Sequence, residues 1–258
     1  MSVKSFPVAP DSVRVWCGYK MHDMELKKFQ DLLGQVFIPA CVKLQTKIGL
    51  TSYIPTVLAG MSEKKDYVPD ETALIFYESQ DVYRDCFKTL AERVYALDHH
   101  GVFSFEKNDL DFKSYSDFPI LFDGSLKIQK PVYLFDKQAD WMHGKIRHFV
   151  GSRPPNMQFD EFQKIISKSL TKIQQSVKLD GAIACIDDNY LVYWELMQDD
   201  SSPSGISLLD GIFTDWKNIF TANPTSIPKD LWDEWPGLAN VNSGSSLNMT
   251  FDRHSAKV

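Results

Sequence analysis

Apolar and polar positions follow two periods along the chain, and the clearest change of period falls between Asp70 and Gly101. Thr72 to Tyr77 is apolar or β-branched throughout, as a strand covered on both faces requires. Glu78-Ser79-Gln80-Asp81 then supplies the polar side chains that open helices. Tyr83, Phe87, Leu90, Val94 and Leu97 recur at three- and four-residue steps, which predicts one apolar helical stripe closed by Gly101. Upstream, Ser12 to Met21 reads as a strand with Val13, Val15, Cys17 and Tyr19 on one face and Trp16 on the other. From Met24 the period is helical through Leu26, Phe29, Leu33, Val36, Phe37, Cys41, Leu44 and Ile48, with a kink expected at Pro39 and a stop at Gly49. Leu50 to Leu58 reads as a second strand whose Pro55 suits an edge or bulge, and Met61 to Pro69 as a charged loop. A fourth strand is expected in Phe118 to Phe122 or in Val132 to Phe135.

That order, β-α-β-β-α-β, is the split unit of a ferredoxin-like sandwich, and it then begins again. Lys145 to Ser152 reads as a strand and Phe159 to Val177 as a helix. Ala182 to Ile186 and Tyr190 to Met197 form a hairpin turned by Asp187-Asp188-Asn189. Ile206 to Phe220 reads as a second helix and Leu247 to Phe251 as a closing strand. Short strings correspond as well: LIFYE at Leu74 to Glu78 with LVYWE at Leu191 to Glu195, and WCGYK at Trp16 to Lys20 with FVGSR at Phe149 to Arg153. The expected fold class is therefore α+β, with two tandem ferredoxin-like units at residues 1–136 and 143–258 whose sheets pack on each other. The second unit ends in an irregular segment where Trp232 and Trp235 dock a loop, and the Asn/Ser/Gly-rich stretch 236–246 should be a mobile connection.

Two stretches, the joint IFYESQDVYRDCF and the run GLTSYIPTVL after the first helix, resemble the dimeric α+β barrel superfamily. Its members include antibiotic-biosynthesis-type monooxygenases, muconolactone isomerases, EthD-like proteins and haem-binding chlorite dismutases. The resemblance covers about the first hundred residues and extends to the second half in outline. It implies two sheets facing each other in a barrel, which a tandem chain would build from its own halves as a pseudo-dimer. The scaffold hosts oxidation, isomerisation, haem chemistry and plain binding, so the resemblance implies no single activity.

Composition narrows the partners. The 258 residues are 43% hydrophobic and 13% aromatic, enough to fill a substantial core. A net charge of −6 with no basic run argues against nucleic acid or an anionic membrane as partner. The opening MSVKSFPVAPDS lacks an apolar signal core and no stretch is apolar enough to span a bilayer, so a cytoplasmic location is expected. Cys17, Cys41, Cys86 and Cys185 lie apart in apolar segments and read as buried free thiols.

Candidate chemistry is sparse. The chain has no G-x-S-x-G elbow, P-loop or dinucleotide fingerprint. His99-His100 reads as a solvated pair at a helix C-terminus whose side chains diverge, and His143 and His148 lack ligand spacing. No metal is therefore expected, nor any cofactor; haem is allowed by the resemblance without a proximal-histidine motif. With the first and third strands of each unit taken as parallel neighbours, Lys20 falls beside Glu78 and Arg153 beside Glu195. Glu78, Glu195 and His22 become the catalytic candidates, and Lys20, Tyr77, Arg153 and Trp194 the substrate-binding ones. The reading is binding, or oxidation- or isomerisation-type transformation, of a small, largely apolar molecule in a barrel pocket, in a chain that could also form a homo-oligomer. A non-catalytic interaction module and a chlorite-dismutase-like haem enzyme are the alternatives.

Overall fold

The computed structural model describes residues 7–45, 49–86, 88–106, 111–141, 144–197, 204–222, 225–226 and 249–250. The expectations for Ile48, Phe87, His143, Trp232, Trp235 and the 236–246 stretch lie outside these residues. The fold is mixed α and β, with two principal sheets and five α-helices among the described residues.

The first sheet contains β1 (Val13–Gly18), β2 (Leu50–Val57), β3 (Glu71–Tyr77) and β4 (Tyr115–Asp117) in the order β2-β3-β1-β4. Over it lie α1 (Leu26–Leu32), α2 (Ile38–Gln45), α3 (Gln80–Cys86) and α4 (Leu90–His99). A wide turn at Leu33–Phe37 joins α1 to α2, and the Ile38 N–H reaches back to the Leu33 carbonyl. Pro39 has no N–H to continue the regular ladder, and the helix rewinds in the turn before it. The distortion therefore precedes the proline.

The second sheet orders β10-β7-β9-β8-β6-β5. Its strands are β5 (Ile120–Leu121), β6 (Val132–Tyr133), β7 (Lys145–Ser152), β8 (Gly181–Ile186), β9 (Tyr190–Met197) and β10 (Lys217–Ala222). Its run β8-β9-β7-β10 has the same order as β2-β3-β1-β4. Helix α5 (Phe159–Ser176) buries Phe162, Ile166, Leu170 and Ile173 on one face, and Asp160 and Glu161 sit in its first turn, where negative charge meets the helix dipole favourably.

Between the sheets lies a shared core. Val13, Val15, Cys17 and Tyr19 of the first β1 segment, with Leu74 and Phe76 of β3, pack with Ile146, Val150, Ile183, Cys185, Tyr190, Val192 and Trp194 of the second sheet. Each sheet's other face meets its own helices, through Trp16, Phe29, Phe37, Tyr53 and Tyr95 on one side and Phe149, Phe162, Leu170 and Tyr193 on the other. Covered on both faces, β3 and β9 are buried from end to end, which is why they are apolar except for Glu71, Thr72 and Glu195.

Several expectations are corrected. First, β1 runs antiparallel to β3, with Val13 opposite Phe76 and Gly18 opposite Glu71. The helical crossover makes β1 and β2 share a direction, and the intervening β3 is antiparallel to both. Second, the fourth strand of the first sheet is β4, whereas Ile120–Leu121 and Val132–Tyr133 extend the second sheet. Third, the helix expected over Ile206 to Phe220 is two single 3-10 turns, Ile206–Leu208 and Asp210–Ile212, followed by β10. Gly205 lies where a Cβ would come within 2.6 Å of the Tyr193 hydroxyl, so the chain enters these turns packed directly on β9. Met249–Thr250 pairs with Thr225–Ser226 instead of closing the second sheet.

Fourth, the LIFYE and LVYWE strings do not occupy equivalent places. Gly18 opposes Glu71 while Gly151 opposes Leu191, and Leu74 faces the inter-sheet core whereas Leu191 faces α5. The WCGYK and FVGSR strings do agree: Trp16 and Phe149 both face helices, and both glycines admit a phenylalanine ring. No helix among the described residues is long and apolar enough to cross a membrane.

A Cβ added to Gly151 would lie 2.4 Å from the Phe213 ring, while one at Gly211 meets nothing within 4 Å. Gly151→Ala should therefore cost about 1–3 kcal/mol by overpacking in urea denaturation. Gly211→Ala should be neutral or stabilising by up to about 1 kcal/mol. Equal effects of the two substitutions would contradict this packing.

Candidate functional site

The antiparallel register separates the residues that the sequence had suggested as pairs. Glu78 is exposed at the far end of β3 from Lys20. The Lys20 backbone N–H donates to Asp70 at 2.9 Å and its ammonium to the Met24 carbonyl at 3.0 Å. Arg153 donates to the Asp188 carbonyl at 2.6 Å and to Asn189 Oδ1 at 3.2 Å, and so ties down the β8–β9 turn and never reaches Glu195. Glu195 is fully buried and accepts from the Ser204 hydroxyl at 2.5 Å, the Gly205 N–H at 2.8 Å and the Tyr193 hydroxyl at 3.1 Å. This carboxylate anchors the segment before the 3-10 turns. Trp194 faces the inter-sheet core, stacked on His148 at 4.4 Å. Lys20 and His22 do line one cleft, of about 720 Å³, together with Tyr19, Lys64 and Asp70. Its Lys64 ammonium is held by Asp70 at 3.2 Å and by the Val68 carbonyl at 2.6 Å, so both it and the Lys20 ammonium are committed to protein partners.

A second cleft, of about 280 Å³, opens between the first sheet and α4. The sequence assigned the wrong face of this helix to the core. Leu90, Val94 and Leu97 are 69%, 46% and 70% exposed, while Glu92 and Tyr95 are each 3% exposed. Inward-facing polar groups are then held by specific bonds. Thr89 caps the helix by accepting the Glu92 N–H, the Glu92 carboxyl accepts from Gln45 Nε2 at 3.0 Å, and Gln45 Oε1 accepts from the Tyr77 hydroxyl at 2.7 Å. Tyr77 thus belongs to the wall behind this cleft, with Gln45 as its partner.

Arg14 of β1 brings a cation to the same cleft. Its guanidinium donates to the Ser116 hydroxyl and lies over the Tyr83 ring at 4.6 Å from the centroid. Burial works against its charge, but Tyr83, Tyr77, Tyr95 and Glu92 outweigh burial and raise its pKa. Opposite stands His99. Its Nδ1 lies 2.9 Å from the Tyr95 carbonyl, which can only accept, so Nδ1 carries the proton and Nε2 keeps a lone pair without a hydrogen-bond partner among the described residues. Burial lowers the His99 pKa to about 4, with the Tyr95 bond opposing. The ring is neutral at physiological pH. Trp16, His100 and Phe105 complete the lining, and both histidines reach the cleft because the chain bends back at Phe105, whose ring is 4.7 Å from His100 and 6.0 Å from His99. The expectation of a solvated pair is thus corrected for His99, which is half-buried, while His100 stays exposed.

His148, in the inter-sheet layer, keeps no uncommitted ring nitrogen. Its Nδ1–H donates to the Tyr193 carbonyl at 3.2 Å and Nε2 accepts from the Thr72 hydroxyl at 2.8 Å, so both nitrogens are spent. Neither histidine fits a haem. His148 lies against Trp194 with an interplanar angle of 4°, and the His99 ring is packed by Tyr95 at 4.4 Å and Phe37 at 4.6 Å in a cleft too small for a macrocycle. Among the described residues no group of three or more His, Cys, Asp or Glu is placed to hold a metal, and the four cysteines are buried free thiols.

No protein-family model and no curated protein matches the chain. Among solved structures it is similar to a putative monooxygenase from Lactobacillus acidophilus NCFM, with 8% identity over 81% of this chain and 91% of that chain and a TM-score of 0.36. It is similar also to an anthrone oxidase-like protein (8% identity, 81% and 88% coverage, TM-score 0.33). A third is a dye-decolorizing peroxidase from Bacteroides thetaiotaomicron VPI-5482 (9% identity, 89% and 98% coverage, TM-score 0.35). Likeness at this level carries no argument about activity, which rests on the geometry above.

Burial also lowers the His148 pKa to about 3, the Tyr193 bond opposing. Both His99 and His148 have folded pKa values below the 6.5 of a free imidazole, so the unfolded chain binds their protons first. Their contribution to stability is complete above pH 6.5 and is lost as pH falls toward 4 and 3 respectively. Proton NMR should find both rings neutral at pH 5. A midpoint above pH 6 for either would contradict its burial.

Proposed function

We propose that the chain binds a small, largely apolar molecule carrying one acidic oxygen in the cleft between the first sheet and α4, and transforms it by oxidation- or isomerisation-type chemistry. The observation that carries this is one cleft lined both by the Arg14 guanidinium, which lies over the Tyr83 ring, and by His99, whose Nδ1 is bonded to the Tyr95 carbonyl and whose Nε2 is uncommitted among the described residues. Arg14 pairs with the oxygen anion, Trp16, Tyr83 and Phe105 enclose the apolar body, and His99 Nε2 accepts a hydrogen bond or a proton. An oxygen anion is common to enolate-type isomerisation, which needs no oxidant, and to oxidation of an ionised hydroxyl, for which dissolved dioxygen would be the acceptor of the two electrons lost. With a pKa of about 4, His99 is a weak base, so the stabilising charge of Arg14 has to supply the driving force.

The tandem reading of the chain is part of this proposal. Support comes from the common strand order and from Gly18 against Phe103 and Gly151 against Phe213 at matching places on β1 and β7. One observation favours a second reading, a protein-interaction module: the outward stripe of Leu90, Val94 and Leu97 on α4.

Benzoate and the uncharged benzyl alcohol serve as probes. Benzoate should bind in calorimetry, and Arg14→Met should weaken it at least about tenfold, the loss of a charge-assisted contact worth roughly 1.5–3 kcal/mol, while benzyl alcohol changes little. Benzoate binding that is absent, or unaffected by Arg14→Met in a folded variant, would remove the proposal.

A further inference from the structure

One carboxyl group behind the cleft has no part in the chemistry above. Glu71, at the start of β3, is fully buried. Its Oε2 accepts the Trp16 indole N–H at 3.1 Å, and its Oε1 lies 2.5 Å from the Tyr53 hydroxyl. Trp16 is itself a wall of the cleft, meeting His99 at 5.5 Å, Phe103 at 5.1 Å and Phe105 at 6.1 Å between ring centroids. An indole N–H only donates, so the single hydrogen bond to Glu71 fixes how this ring is turned.

We propose that Glu71 is a positioning residue for the cleft, setting the hold on the Trp16 ring through its own protonation state. This rests on the reading of the cleft as a ligand site. As a carboxylate, Glu71 accepts from Trp16 and Tyr53 together, and the indole bond is charge-assisted. As an acid, its O–H donates to the Tyr53 oxygen and the indole keeps a neutral, weaker acceptor. Protonation therefore reverses one bond and loosens the other.

The groups around Glu71 come from each layer packed on it. Trp16 on β1 and Tyr53 on β2 bond it, and Cys17 on β1 and Cys41 on α2 feel its charge; one step further out, Arg14 and Glu92 act on Cys41, Tyr95 on Cys41 and Tyr53, and His99 meets the Trp16 ring. No lysine or arginine is bonded to the Glu71 carboxyl among the described residues. Burial raises its pKa to about 7, with the Tyr53 and Trp16 hydrogen bonds opposing. Cys41 and Cys17 are pushed up to about 12 and His99 down to about 4, so none of these three changes charge between pH 6 and 8.

Glu71→Gln tests this without emptying the site, because the amide oxygen still accepts from Trp16 and the amide N–H donates to Tyr53. Trp16 is read as the difference between wild type and Trp16→Phe in near-ultraviolet circular dichroism and fluorescence, with far-ultraviolet spectra confirming the fold. The wild-type Trp16 signal should change between pH 6 and 8, and the change should be lost in Glu71→Gln. A transition that persists in Glu71→Gln, or a wild-type signal flat from pH 6 to 8, overturns the proposal. These spectra need no ligand, so they stand apart from the benzoate result. Where benzoate binds, its affinity should vary over the same range in wild type and be level in Glu71→Gln; a dependence that survives the substitution also overturns the proposal.

Discussion

The packing of β1 and β3 against β7, β8 and β9 is the contact on which the rest of the molecule depends. Apolar burial dominates it: each large side chain such as Phe76, Tyr190 or Trp194 removed from water is worth about 1.5–3 kcal/mol, against about 1 kcal/mol net for a hydrogen bond. The polar contacts within it do something different, since they join specific partners. The Tyr19 hydroxyl is placed to donate both to the Tyr67 carbonyl at 3.0 Å and to the Tyr190 hydroxyl at 2.9 Å. The Tyr190 hydroxyl lies 2.9 Å from that of Tyr115 as well, which continues the hydroxyl chain. With Thr72 and His148, this chain ties the first sheet to the second at fixed points.

Filling the inter-sheet layer with side chains moves the candidate chemistry outward, to the layer between the first sheet and its helices. The residues that fit poorly with an ordinary core gather there: Arg14 on a strand, Glu71 beneath Trp16, and Glu92 and His99 on the inner face of α4. The corresponding layer of the second sheet is different. Phe149, Phe162, Leu170 and Phe213 fill it, and its buried carboxylate, Glu195, is saturated by Ser204, Gly205 and Tyr193. The two halves share a strand order and differ in where they keep uncommitted polar atoms.

The strands were legible in the sequence because burial on both faces demands unbroken apolar runs, and α5 because one face alone is apolar. Helix α4 misled for the opposite reason. Its most regular stripe, Leu90, Val94 and Leu97, points to water, while Glu92 turns inward to Gln45 of α2 and His99 to the rings of Phe37 and Trp16, which periodicity cannot see. The proposed pairs of Lys20 with Glu78 and Arg153 with Glu195 failed on strand direction, an error of topology. Tyr77 was placed correctly in a strand, but its partner Gln45 lies 32 residues away. Arg14 carried one signal that could have been used: a lone cation in an otherwise apolar strand needs a partner or a ligand.

The central claim is that the two sheets of one chain face each other in this register, and the Tyr19–Tyr190 contact tests it most directly. Tyr19→Phe, Tyr190→Phe and the double variant form a cycle in which each step removes one hydroxyl and little volume. Urea denaturation should give a coupling of about 0.5–1.5 kcal/mol between these residues 171 positions apart. Strictly additive losses would contradict the packing described.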